Sequence, residues 1–172
     1  MWRDYYDKNP TRLYWDTVSL LRTQQGFPLV RAMVSAYWAG KAAFVFKEGH
    51  QRPDYVRALP YLESYYRAVV RTGQLKSDPK RLAELELEWW IIHRERGAHG
   101  ESALVRALAE TAGELYQIDP NRLVPYALPR ARAMIERSRR DRNMNEADWK
   151  EVETSLSTAY RALAIELAKV GT

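Results

Sequence analysis

The stretch DYVRALPYLESYYRAVV at positions 54–70 returns 94 residues later, altered, as DWKEVETSLSTAYRALA at 148–164. Asp54, Leu62, Tyr66, Arg67 and Ala68 fall on Asp148, Leu156, Tyr160, Arg161 and Ala162. Tyr55, Ser64 and Val69 fall on the similar Trp149, Thr158 and Leu163. Extending the same offset to 11–78 over 105–172 adds Arg12, Thr17, Leu21, Leu29, Val30 and Ala39 against Arg106, Thr111, Leu115, Leu123, Val124 and Ala133. That makes 11 identities in 68 positions, where unrelated chains of average composition would share about 4 or 5. In the first copy Tyr55, Leu59, Leu62, Tyr66 and Val69 recur at intervals of four and three, the stripe of a helix with one buried face. In the second copy Trp149, Val152, Leu156, Tyr160, Leu163, Leu167 and Val170 form a near-heptad stripe. The expected architecture is all-α: a compact bundle of about seven helices in one domain, 1–172. Two related three-helix units, 11–78 and 105–172, are joined by a central helix.

The remaining punctuation divides the chain accordingly. A helix over 11–25 stops at Gly26, and Pro28 suits the first turn of the next, over 28–47. That second helix carries Ala32, Ala36, Gly40 and Ala43 along one face, which lets a neighbour approach closely. Its apolar run, Ala32 to Phe46, contains Lys41 and is shorter than the ~20 residues needed to span a bilayer; it reads as a buried helix. The third helix covers 54–72, with Pro60 either kinking it or moving its start to Leu59 and Gly73 as its stop. Ser77-Asp78-Pro79 opens the central helix, which runs to Arg96 before Gly97. Helices over 102–117, 121–142 and 146–169 complete the set, the middle one becoming regular from Pro129. No segment alternates apolar and polar residues as a strand would.

Composition limits the chemistry. There is no cysteine, so disulfides, thiolate metal sites and cysteine nucleophiles are excluded. The first residues, Met-Trp-Arg-Asp-Tyr-Tyr-Asp, lack an apolar signal-peptide core. The expectation is a cytoplasmic protein with no membrane partner. No Gly-rich phosphate loop, dinucleotide fingerprint or Gly-x-Ser-x-Gly elbow occurs, so no cofactor is expected and no residue is given a catalytic role. The three histidines, His50, His93 and His99, follow Lys47, Trp90 and Arg96 by three positions, so the Glu-x-x-His of carboxylate-bridged di-iron bundles is missing. His50 and His99 sit beside glycines and read as loop residues.

Three features could carry function. In the central helix, Glu86 and His93 are seven apart and share a face, flanked by Trp89 and Trp90. At about 10 Å along the axis they need partners from other helices. Glu63, Tyr65, Tyr66 and Arg67 are candidates, as are Tyr160 and Arg161. The set Glu86, His93, Trp89, Trp90, Glu63 and Tyr66 is either a polar network that fixes register or a small-molecule or metal pocket. The second feature is the arginine-rich run Arg130–Arg142, where Arg132, Arg137, Arg139 and Arg140 are candidates for a nucleic-acid backbone. A solvated face with internal ion pairs competes with that reading. Set against the apolar 36–48, the run implies that the second helix of the first copy is buried and its counterpart exposed. The third feature is the aromatic load, 6 Trp, 11 Tyr and 3 Phe, common at cores and interfaces alike. Trp2, Tyr5 and Tyr6 are placed to pack on the bundle or on a second subunit. The leading expectation is an interaction module that self-associates or binds a protein partner. A ligand-binding enzyme or carrier and a nucleic-acid binder are the alternatives.

Overall fold

The computed structural model describes residues 10–140 and 144–170. Trp2, Tyr5, Tyr6, Arg142 and Asn143 lie outside the described residues. The described residues are helical almost throughout, with no strand among them, and neighbouring helices pack closely. None of these helices is long and apolar enough to cross a membrane. The chain divides into two compact units, 1–87 and 88–172.

The first unit holds α1 (Pro10–Gln25), α2 (Leu29–Glu48), α3 (Arg52–Val56), α4 (Leu59–Gly73) and the first half of α5 (Pro79–Arg94). Gly26 ends α1 in the left-handed region (φ +66). The amide of Phe27 then donates to the Leu21 carbonyl at 3.1 Å, and the Phe27 ring is buried. This is the closing geometry that glycine makes cheap. Gly49, after α2, is demanded by space: a Cβ there would lie 2.8 Å from the Tyr55 ring. The third expected helix is two elements, because Pro60 has no amide to donate and sits in the first turn of α4. Asp54 steadies α3 by accepting from the His50 amide at 3.1 Å. Gly73 is not the left-handed stop expected of it; Gln74 takes that conformation (φ 51). α5 starts as expected, with Asp78 Oδ1 accepting from the Lys80 amide at 3.0 Å ahead of the first turn.

α2 differs from expectation. Its small side chains point inward: Ala32, Ser35, Ala36 and Ala42 are buried, with Phe46 at the end. It packs against α1 and α4 through this face. Its large side chains point outward: Val30 is 73% exposed, Val34 49%, Tyr37 54% and Phe44 50%. The helix is therefore not buried all round. Close packing of alanines satisfies its inner side, and Trp38, stacked on Tyr61 of α4 at 6.0 Å, fixes its rotation.

The second unit holds the end of α5, α6 (Arg96–Tyr116), a 3₁₀ turn (Pro120–Leu123), α7 (Val124–Arg140) and α8 (Glu146–Val170). The central helix stops at Arg94, and the chain turns at once into α6. Gly97 does not end a helix; the break comes at Gly100 (φ 75), after which α6 is regular. At its far end Gln117 is left-handed (φ 54) and the Ile118 amide donates to the Gly113 carbonyl. α7 is continuous from Val124, with Pro129 inside it. It buries Tyr126, Ala127, Ala131, Ala133, Met134 and even Arg137, so the expected contrast of a buried second helix and an exposed counterpart does not hold. α8 opens on a reciprocal cap: Asn145 Oδ1 accepts from the Asp148 amide at 3.0 Å, and Asp148 Oδ2 from the Asn145 amide at 2.9 Å. Its seam is Val152, Leu156, Ala159 and Leu163. The expected Tyr160 is exposed, because an unsupercoiled helix advances 3.6 residues per turn and Ala159 takes the inward place.

Candidate functional site

Glu86 and His93 each find a partner, within different units. In the first unit the buried Tyr66 of α4 donates its hydroxyl to Glu86 Oε2 at 2.8 Å. A charge-assisted bond of this kind is among the stronger ones a helix pair can make. Tyr65 packs edge-on against Tyr66 at 5.0 Å. Glu63 points elsewhere, to Arg67 one turn along its own helix.

In the second unit His93 Nε2 lies 3.2 Å from Ser138 Oγ and 3.5 Å from the Met134 carbonyl. Ser138 Oγ donates its one proton to that carbonyl at 2.9 Å. The ring nitrogen and Oγ are thus within hydrogen-bond reach, and which of them donates is set by the ring's tautomer. Burial lowers the pKa of His93; the Met134 carbonyl pulls it back up, and the Arg96 charge lowers it further. A histidine that activates a serine accepts the serine's proton. Ser138 Oγ instead donates to the Met134 carbonyl, one turn back on its own helix, which makes the pair a contact between packed helices.

Trp89 is buried and Trp90 half-buried, edge to face at 6.1 Å. The guanidinium of Arg130 sits 5.4 Å from the Trp89 ring and 5.6 Å from that of Tyr126, and donates to the Tyr126 hydroxyl. Tyr116 and Tyr160 adjoin this cluster. Burial raises the pKa of Tyr116, nearby Tyr126 and Tyr160 add to the rise, and Arg130 partly opposes it. Arginine held between ring faces is a packing device as much as a charge.

Three other arginines of the run are held by carboxylates or rings. Arg132 meets Glu101 at 3.2 Å. Arg137 is buried, 5.5 Å from the Trp149 ring. Arg140 gathers Glu136, Asp148 and Glu151. Arg139 is exposed. Arg132, Arg139 and Arg140 line an open groove of about 850 Å³, together with Ile135, Lys150 and Val152. Glu101, Glu136 and Glu151 share its rim, so its charge is mixed rather than uniformly basic. His99 pairs with Glu95 at 3.7 Å. Among the described residues no three His, Asp or Glu side chains come together as metal ligands do.

Sequence reasoning missed two things. One is Ser138, the partner of His93, which carries no local signal. The other is the outer face of α2, where Val30, Val34, Tyr37, Lys41 and Phe44 recur at intervals of four and three. At 100° per residue these five fall within an arc of about 80°. The signal was legible as a helix whose large and small residues lie on opposite sides.

Comparison with models of known protein families, with curated proteins and with solved structures finds no match.

Proposed function

We propose that this protein is an interaction module that recognises another protein through the outer face of α2. One observation carries the reading. Four of the eleven large apolar side chains exposed among the described residues, Val30, Val34, Tyr37 and Phe44, fall in one row along this face, and a fifth, Leu29, opens the same helix. Scattered exposed apolar residues need no explanation, but a contiguous row of them marks a binding surface. Glu86 is bonded to Tyr66 and His93 lies against Ser138, contacts that a packing role for both accounts for. Self-association is the form this reading takes if the partner is a second copy.

The duplication belongs to the same proposal, and element boundaries support it. Adding 94 to Leu29, the start of α2, gives 123, one residue from the start of α7; adding it to Arg52, the start of α3, gives 146, the start of α8. Asp54 and Asp148, equivalent under the offset, each accept a backbone amide just ahead of the third helix.

Site-specific photo-crosslinking in the cells that make the protein tests the reading. A benzophenone side chain at position 34 or 37 should give adducts of discrete mass. The same group at the exposed Ile165, on α8, should not. An adduct of twice the 20.1 kDa chain would identify a second copy. Equal, diffuse labelling at all three positions would refute the module.

A further inference from the structure

The chemistry of the α2 face narrows what can cover it. The row from Val30 to Phe44 is about 21 Å long at the helical rise and roughly 10 Å wide, a helix diameter. That is roughly 200 Å² in projection, against the ~800 Å² per partner of a standard interface. Intervals of four and three are also the spacing by which one helix lays its anchors against another. The size and the period both fit a single helix rather than a broad globular surface.

The second unit supplies an internal precedent, if the 94-residue offset is followed. Phe44 corresponds to Ser138, and Ser138 is met by His93 from the end of α5. Tyr37 corresponds to Ala131, which is wholly buried. A helix thus reaches the corresponding side of α7 at Ser138, while the large residues of α2 stand in the open.

Lys41 then selects among occupants. It lies in the middle of the row, is exposed, and makes no ion pair among the described residues. From Thr17 to Lys47 the chain carries Arg22, Arg31, Lys41 and Lys47 and no acidic residue. A lysine in an otherwise apolar seam costs affinity unless the facing position answers it, and so it sets register and partner. A second α2 answers badly. Parallel pairing sets Lys41 against Lys41. Antiparallel pairing brings Lys41 to Glu48, the one acid of α2, only when the helices cross between residues 44 and 45, and that leaves Val30 and Val34 uncovered. A bilayer offers no carboxylate at the depth of the row, and basic residues of lipid-bound helices belong on the polar side.

Resting on the interaction-module reading, we propose that the outer face of α2 receives an amphipathic helix of a partner protein that carries an aspartate or glutamate opposite Lys41. The test is selection of a displayed library of helical peptides on the full chain. The library has a leucine seam at intervals of four and three, with one seam position and its flanks randomised. The expected result is enrichment of peptides with Asp or Glu at that seam position. Lys41→Glu should weaken them about tenfold or more, and changing the peptide's acid to lysine should restore binding to the variant. Lys41→Met should keep binding and lose the preference for an acid. Peptides that bind through α2, as judged by loss with Tyr37→Glu, yet ignore the charge at 41 would overturn the proposed partner and leave the module standing. Peptides indifferent to both substitutions, or no enrichment, would overturn both. A stable dimer at micromolar concentration that is lost with Tyr37→Glu would put a second copy on the face. Binding to phosphatidylserine vesicles lost in the same variant would put a lipid surface there. Either would overturn the partner helix.

Discussion

On an ordinary amphipathic helix, truncating a large apolar residue is costly and enlarging a small one is cheap. α2 should behave in the opposite way. Val30 is 73% exposed, so only about a quarter of its side chain is removed from water. Full burial of a valine is worth roughly 1.5–3 kcal/mol, and a quarter of that is roughly 0.4–0.8 kcal/mol. Alanine regains about 0.5 kcal/mol through its better helix propensity. Val30→Ala should therefore leave stability within about 0.5 kcal/mol of the parent. Ala36 is 3% exposed on a helix packed against both α1 and α4. Ala36→Leu forces three further carbons into that contact, at about 1–3 kcal/mol. Urea unfolding followed by far-UV circular dichroism separates the two. Ala36→Leu should lower the midpoint by on the order of 1 M with the slope unchanged, and Val30→Ala should barely move it. If Val30→Ala costs more than about 1 kcal/mol while Ala36→Leu costs under about 0.5 kcal/mol, the assignment of inner and outer faces is wrong.

Four further outcomes follow from the polar contacts and helix ends. Tyr66→Phe strips the hydroxyl that Glu86 accepts at 2.8 Å and should cost about 1.5–3 kcal/mol in the same unfolding assay, the range for a bond to a charged group. His93 has its folded pKa lowered below 6.5 by burial, so the unfolded chain binds the proton more readily. Its contribution is intact above pH 6.5 and is lost as pH falls toward the folded pKa; urea midpoints between pH 5 and 7.5 should fall on the acid side, and His93→Gln should flatten that slope. Gln117 holds a left-handed conformation, so Gln117→Gly should raise the thermal midpoint. Gly113→Ala, about one turn earlier, should lower it, since the new Cβ would lie 2.8 Å from the Ile118 carbonyl.

Much of the helical plan was legible because its stops are local chemistry. Gly26, Pro60 and Asp78 each act through their own backbone or the next few residues. The errors arose where the deciding term was tertiary. Gly73 and Gly97 look like stops, yet Gln74 and Gly100 hold the left-handed positions, because packing after α4 and the sharp turn after Arg94 choose the residue. Tyr160 looked like a seam residue because heptad counting drifts on a straight helix. The run Ala32–Phe46 looked buried because hydropathy does not say which side of a helix faces in. Of the candidate set, Tyr66 with Glu86 was anticipated as a pairing across helices. Ser138 with His93 was not, since one serine among surface-like arginines has no pattern of its own.

On the proposed duplication, α2 and α7 are counterparts, and they show how one scaffold can either close or present a face. α7 fills its inward side with Tyr126, Met134 and the stem of Arg137, and matches Arg132 and Arg140 to carboxylates. Little large apolar surface is left over: Val124 is the one large apolar side chain of α7 exposed among the described residues. α2 reaches close packing with alanine and serine, which cost no long side chain and bring the neighbouring helices near. Val30, Val34, Tyr37 and Phe44 are then left about half exposed or more, outside the unit's core. Burying the exposed half or more of each would have gained roughly 1–2 kcal/mol apiece, so the unit's own stability does not account for the orientation. On the proposed function, this orientation keeps those side chains, with Lys41 among them, available to a partner.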